Sequence, residues 1–455
     1  MRAADPDAAL PTARTLLLLT LAGFAVRAAF LLLEPATHPV ADERTWTNWA
    51  VESLATPRVA FSPLRTHMIF YPPLYPYFIA VAYALFHALE AAKWAQVVVS
   101  ALLVPAVGLV GLRAFGPRAG LVAAGITAFY PDLVWFAAHF WSETLFLVLL
   151  WWAIERLTAG DARGSTAAAA VAGLLWGLAI LTRETILYLT RVAAVWLAWR
   201  AGRAGGTKRA AAFLLCATLV VVPWTLRNWM AFRAFVPVST AGGLALFQGN
   251  ARLTREEVYD RYEAVHGRVE QYRFARREGW RAIGERQPLW VFEKLREQMP
   301  RFWEADSLAL IHIKRGAYGA VPPAIAVGAA VVVLAPYLVV LAGFVVGAAL
   351  LPLDRRRVLL LGFLLGYNAL HVVTHGFARY RLPVMPVVFV FAAAAYVAWR
   401  GGALAGASVA RRAVAAALAL VLLLCLVPSL RMNLGHPAFG FVDQAEPAAF
   451  EQPSP

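Results

Sequence analysis

Twelve apolar stretches, each close to the length of a membrane-crossing helix, recur along the 455 residues. They cover 13–33, 73–89, 93–113, 119–135, 139–157, 166–182, 184–199, 210–226, 321–350, 357–375, 383–399 and 411–429. A helix rises about 1.5 Å per residue and the hydrocarbon core of a bilayer is about 30 Å thick, so roughly 20 apolar residues cross it. Such a chain reads as an all-α polytopic membrane protein. The composition agrees: 60% hydrophobic, 15% charged, against about a quarter charged in soluble proteins.

The net charge of +15 does not point to nucleic acid, because the basic residues fall in short clusters between apolar stretches. That is a topology signal, and it suits anionic lipid headgroups. The clusters are Arg113–Arg118, Arg156–Arg163, the run Arg200, Arg203, Lys208 and Arg209, then Arg355–Arg357 and Arg400–Arg412. Placing all five on the cytoplasmic side works only if one early stretch fails to cross. The stretch 73–89 is the candidate: it is short, opens at Pro72, Pro73 and Pro76, and is rich in tyrosine, which suits a helix lying in the interface. About eleven spans then remain, with the N-terminus cytoplasmic and residues 34–92 and 227–320 outside. The outer chain is expected to hold in-plane helices at 44–55 and 73–89, and charged helices at 254–287 and 289–304 with Trp280, Trp290, Phe302 and Trp303 as interfacial anchors. The stretch 13–33 is too long for a signal-peptide core and is expected to remain as an anchor. Pro336 is expected to kink 321–350 or to split it into a hairpin. Cys216 and Cys425 lie in apolar stretches, so neither a disulfide framework nor a thiolate metal site is expected.

Chemistry is therefore sought on the outer side. Asp42-Glu43 follows the first span directly, beside Trp46 and Trp49. Two loop acids are ordinarily just solvated. At the mouth of a bundle with few outer acids, one can serve as a general base whose neighbour raises its pKa. Glu143 opens the helix after Pro131-Asp132, where it either complements the helix dipole or meets substrate. Arg183 of Arg183-Glu184 is expected to be free for an anion, since adjacent side chains pair poorly. Arg379-Tyr380-Arg381 forms a second outer cluster; guanidinium forks bind phosphate bidentately, while the plainer reading is headgroup anchoring. Arg27, inside the first span, is expected to snorkel. After Pro223-Trp224-Thr225-Leu226-Arg227-Asn228, the pair Gly242-Gly243 permits close backbone approach to a ligand, and Gln248 and Asn250 suit sugar hydroxyls. The histidines show no metal spacing, and Walker, dinucleotide and GxSxG signatures are absent. No nucleotide cofactor is expected, and a divalent metal is left open.

Taken in order, five features form a pattern: the acidic pair after the first span; Tyr71-Pro72-Pro73-Leu74-Tyr75-Pro76; Pro131 with Glu143; Gly177 through Arg183 followed by Pro223 through Asn228; and Arg379-Tyr380-Arg381-Leu382-Pro383. Over roughly 13–400 this resembles the GT-C glycosyltransferases of the protein O-mannosyltransferase and aminoarabinose transferase type, family 39-like. The resemblance implies a GT-C fold and inverting sugar transfer from a polyprenyl-phosphate carrier, outside the cytoplasmic membrane. It implies that Asp42 is the catalytic aspartate with Glu43 beside it, that Glu143 is a second acid facing the cavity, and that Arg379 contacts the carrier phosphate. Arg183, Tyr71, Gln248, Asn250, Tyr380 and Arg381 complete the expected substrate-binding set. The acceptor is a lipid, glycan or protein. Two departures are a missing large soluble domain and Leu74 where some relatives carry Lys. The expected organisation is a catalytic module at 1–226, an outer region at 227–320 and terminal spans at 321–455. The competing reading is a transporter or flippase for a lipid-linked precursor; against it, no half-repeat is visible and the acids cluster at one surface.

Overall fold

The computed structural model describes residues 6–35, 42–55, 67–199, 202–434 and 436. Within the expected outer loop 34–92, residues 36–41 and 56–66 lie outside the described set, as do Arg200 and most of the C-terminal tail. The described chain is helical, without a strand. Helix α1 (Pro6–Leu33) leads into a layer of short helices, α2 (Asp42–Ala55), α3 (His67–Phe70) and α4 (Leu74–Phe86). Next come α5 (Leu89–Ala101), α6 (Leu103–Phe115), α7 (Pro117–Phe129), α8 (Pro131–Ala138), α9 (Glu143–Arg163) and α10 (Thr166–Thr182). A 3-10 segment, Glu184–Leu189, then joins α11 (Thr190–Ala198) and α12 (Gly202–Phe232). Five shorter helices follow: α13 (Ala241–Asn250), α14 (Arg255–Glu263), α15 (Arg268–Gly284), α16 (Trp290–Trp303) and α17 (Leu308–Lys314). The bundle closes with α18 (Pro323–Leu350), α19 (Arg355–Val373), α20 (Met385–Arg400) and α21 (Val409–Leu434).

Among the described residues, seven helical stretches are long and apolar enough to cross a membrane, and α7 with α8, bent by 48° at Tyr130-Pro131, makes an eighth. Three further segments, α9, α10 and 184–198, join the same two ends of the bundle. Helix α9 has Glu143 paired with Arg183 at one end and Asp161 with Arg355 at the other. The segment after Arg183 ends where Trp196 and Arg355 exchange hydrogen bonds through Trp196 Nε1 and Arg355 Nη2. The basic loops meet at this second end: Arg113 pairs with buried Glu155 at 2.6 Å, Arg356 donates to the Arg113 carbonyl and Arg357 to that of Ala114. Helix α18 runs through Pro336 as one continuous element, so the hairpin alternative falls.

Close approach of the helices depends on small residues. A Cβ at Gly173 of α10 would sit 2.3 Å from the Phe213 carbonyl oxygen of α12, and one at Gly177 would strike Val220 and Ala217. The core draws on α9 and α20, and Trp151 Nε1 of α9 donates to the carbonyl of Pro383, in the turn that leads into α20, at 3.1 Å.

Arg27 corrects an expectation. It does not snorkel but is fully buried, and its guanidinium donates to the carbonyls of Ala128 (2.8 Å) and Thr127 (3.1 Å). Pro131 has no N–H, so the Thr127 carbonyl loses its partner four residues on, and Arg27 fills that place. Phe302 and Trp303 are likewise core residues rather than interfacial anchors, whereas Trp280 is 56% exposed. Trp290 donates to Asn250 Oδ1. The expected helix 254–287 is two helices, broken at Gly267 with φ 88°.

Helix α4 has 13 residues, about 20 Å of rise and too short to cross. It carries Tyr75, Ile79 and Ala80 against Trp46, Trp49 and Ala50 of α2. Here too the sequence expectation needs a correction: Tyr75 is wholly buried, its hydroxyl donating to Gln96 Oε1 at 2.7 Å, so this aromatic serves packing rather than the interface.

Candidate active site

Asp42 begins α2, where a carboxylate complements the helix dipole. Its Oδ2 receives both Nη1 and Nη2 of Arg379, each at 3.1 Å, and its Oδ1 receives the Tyr71 hydroxyl at 3.1 Å. Arg379 lies 337 residues downstream, in the turn between α19 and α20. Its guanidinium also lies over the rings of Trp141 and Tyr380. Its Nε stands 3.8 Å from Glu143 Oε1, and that carboxylate pairs with Arg183 at 2.7 Å. Two carboxylates and two guanidiniums therefore alternate in one line: Asp42, Arg379, Glu143, Arg183. Glu143 is 1% exposed and Asp42 26%, so the line runs inward from an accessible end.

Local structure explains why these groups converge. The break between α8 and α9 at His139–Ser142 turns Glu143 into the bundle, and Gln96 secures it by donating to the carbonyls of Phe136 and Ala137 at 2.9 and 3.1 Å. At the end of α10 the chain enters the 3-10 segment, and Arg183 and Glu184 separate. Arg183 reaches Glu143, whereas Glu184 accepts the Ser239 N–H at 3.2 Å beside the start of α13. Arg183 is thus not free for an outside anion in this state; it already has Glu143. Tyr71 is half-buried, and burial, then the charge of Asp42, pushes its hydroxyl well above its ordinary pKa. It stays a donor to Asp42.

Glu43 occupies a different position from Asp42. It is 3% exposed, and its Oε1 accepts the Phe140 backbone N–H at 2.9 Å, fixing α2 to the α8–α9 break. Tyr380 stacks on His371 at 4.7 Å and lies near the Arg183 guanidinium, so it forms a wall of the group. Arg381 points the other way: buried, it donates to the carbonyls of Glu304 and Asp306 and lies over the Tyr337 ring.

The α13 region differs from expectation. Asn250 spends its amide on the Leu246 and Val373 carbonyls and accepts from Trp290. Gln248 is half-buried, and among the described residues no contact ties either of them to the Asp42–Arg379 group. The glycines face protein rather than an open cleft. A Cβ at Gly249 would lie 1.4 Å from the Thr374 carbonyl oxygen, and one at Gly242 2.6 Å from Glu184. The preceding motif is a clamp. Trp224 and Asn228 donate to the Val238 carbonyl and Thr225 to that of Pro237, holding the returning chain against α12.

Among the described residues, no group of three or more His, Cys, Asp or Glu side chains is arranged to hold a metal ion. Sequence reasoning passed over Trp141 and His371, which line the group, and Glu34, which meets His139 at the α8–α9 break. Their signal was weak because their partners are remote in sequence.

Residues 71–226 match the family described as dolichyl-phosphate-mannose-protein mannosyltransferase. Glu143 and Arg183 fall inside this stretch; Asp42 and Arg379 fall outside it and are brought to it by the fold. Among solved structures, the apo oligosaccharyltransferase of Archaeoglobus fulgidus is 15% identical, with a TM-score of 0.52 over 94% of this chain. The archaeal oligosaccharyltransferase AglB from the same organism, in complex with an inhibitory peptide and a dolichol-phosphate, gives 16%, 0.52 and 93%. The present chain spans 56% of the length of each. At such identities the likeness is one of fold. No curated protein shows significant similarity. The resemblance to GT-C glycosyltransferases is borne out in the family match and in the polytopic helical fold.

Proposed function

We propose, from a GT-C fold with a mannosyltransferase-type segment, that this protein transfers a sugar from a polyprenyl-phosphate carrier to an acceptor hydroxyl or amine. The observation that carries the reading is the meeting of Asp42 and Arg379, a carboxylate and a phosphate-binding fork, at the accessible end of a buried charge line. In this reading Asp42 is the general base. It takes the proton of the acceptor as that atom attacks the anomeric carbon, and the phosphate leaves from the opposite face, inverting the centre. Arg379, with Arg183 behind it, stabilises the charge on the departing phosphate. Glu143 keeps both guanidiniums aligned, Tyr71 and Tyr380 shape the walls, and Glu43 anchors the helix that presents Asp42. A carrier phosphate entering the site competes with Asp42 for the Arg379 fork, and taking it leaves the carboxylate available.

Sidedness follows from charge. The end where Arg113, Arg355, Arg356 and Arg357 gather is cytoplasmic by the positive-inside rule, which puts the Asp42 end outside a bacterial-type inner or plasma membrane. No nucleotide sugar is at hand there, so a lipid-activated donor fits. Membrane-embedded Asp42→Asn, assayed with candidate polyprenyl-phosphate sugars, tests the chemistry: transfer falls about 10²- to 10⁴-fold. Full transfer by that variant refutes the assignment. Reporter fusions within 42–55 test the topology, and a cytoplasmic signal overturns it.

A further inference from the structure

Glu34 closes the first span and touches none of the groups in the charge line, yet it is only 8% exposed. Its Oε1 receives the Tyr318 hydroxyl at 2.7 Å, and that oxygen in turn receives Trp135 Nε1 at 2.8 Å. The same Glu34 Oε1 lies 3.2 Å from His139 Nε2. His139 is stacked on Trp135 with centroids 3.8 Å apart, and its Nδ1 stands 3.0 Å from the Trp135 carbonyl. A carbonyl only accepts, so Nδ1 carries a proton, and the neutral ring leaves buried Nε2 as an acceptor with no hydrogen bond of its own, 3.2 Å from Glu34. A carboxylate facing that acceptor is repelled. The contact holds together when one proton is shared between the two groups. The next residue, Phe140, gives its N–H to Glu43. The chain that carries Asp42 is therefore fastened on both sides, at residue 34 and at residue 43, to His139-Phe140 of the α8–α9 break.

We infer that Glu34 and His139 are positioning residues: as a one-proton pair they hold the segment bearing Asp42 against the break that also presents Glu143. This deepens the glycosyltransferase reading and rests on it for the role of Asp42. The charged and titratable groups facing the pair are Lys93 of α5, Glu43 of α2, His312 of α17 and Tyr318. Burial moves the Glu34 carboxyl up to about 7 and the His139 ring down to about 3. The shared proton therefore resides on Glu34 and is lost at alkaline pH.

Glutamine stays neutral at every pH: with its NH₂ in the place of Oε1, one hydrogen is given to Nε2 and the other to the Tyr318 oxygen. The test compares wild type, Glu34→Gln and Glu34→Ala as full-length protein in lipid–detergent micelles. Amide protection in α2 is read at about pH 6 and about pH 9, on either side of the Glu34 titration. Wild type is expected to lose about tenfold in protection at the higher pH, Glu34→Ala to lack it at both, and Glu34→Gln to keep it at both. With a donor that wild type accepts, Glu34→Ala is expected to lose about 10²-fold in kcat at unchanged donor KM, and Glu34→Gln to match wild type with a flatter alkaline limb. Equal damage in Gln and Ala overturns the inference, as does wild-type α2 protection in Glu34→Ala. The protection measurement does not involve Asp42, so failure of the general-base assignment and failure of the staple give different results.

Discussion

Replacing Glu143 with Gln isolates the electrostatics of the site. Glu143 lies between two guanidiniums, 2.7 Å from Arg183 and 3.8 Å from Arg379, and is 1% exposed. With Asp42 it makes the charge line two against two. The variant keeps the shape and removes one negative charge, so Arg183 is left buried without its counter-ion. Breaking a buried pair in this way costs about 3–5 kcal/mol. For 455 residues, a melting entropy of about 2.1 cal/mol/K per residue gives about 1 kcal/mol per degree, so Tm falls by about 3–5 °C. The second half of the prediction is specific to the proposed function. A polyprenyl phosphate without sugar supplies the missing charge, so it should bind Glu143→Gln more tightly and raise its Tm more than that of wild type at the same free lipid concentration. Differential scanning fluorimetry on purified protein, with and without the lipid, reads both effects. An unchanged Tm, or a ligand shift equal in the two proteins, refutes the argument that these guanidiniums receive phosphate.

Other substitutions give distinct outcomes. Tyr71→Phe removes a donor to Asp42 Oδ1 and is expected to cost about 1.5–3 kcal/mol in transition-state positioning, read as lower kcat with little change in donor KM. Asn228→Ala leaves the Val236 carbonyl without its side-chain donor and the Val238 carbonyl with Trp224 alone, so it is expected to lower stability by about 1–3 kcal/mol while sparing the Asp42–Arg379 geometry; a thermal melt checks this. Glu34 titrates at about 7 in the fold against 4.5 outside it. The fold then binds the extra proton between these values, so its contribution is full below about 4.5 and is lost as pH rises through about 7. Wild-type Tm should fall across that window relative to Glu34→Gln.

Hydropathy made the membrane class legible because lipid accepts no unsatisfied backbone, and runs such as 321–350 can satisfy theirs only as helices. The proline-flanked stretch at 73–89 was likewise readable as a short helix, and α4 has 13 residues. Residue partners were not readable. Asp42 and Arg379 were each recognisable as a type of group, but their contact spans 337 residues and depends on the α8–α9 break. Trp46 and Trp49 stood out in the sequence only as neighbours of the acidic pair; in the fold they pack under α4. The glycines of α13 signalled close approach correctly; what approaches is Glu184 and Thr374, not a ligand. A motif such as Pro223 through Asn228 records that its side chains matter without telling whether they grip substrate or chain.

The pairing of Arg27 with the carbonyl freed by Pro131 has a consequence for how the chain tolerates change. Each residue is a liability alone. An arginine in mid-span needs acceptors, and a proline between two helices strands one. Together they cancel, so the cost of losing either should depend on the other: Arg27→Leu is expected to be far more harmful with Pro131 present than in a Pro131→Ala background. Two positions 104 apart thus form one heritable unit, and the bend that delivers Glu143 to the site is stable to drift only while both are kept.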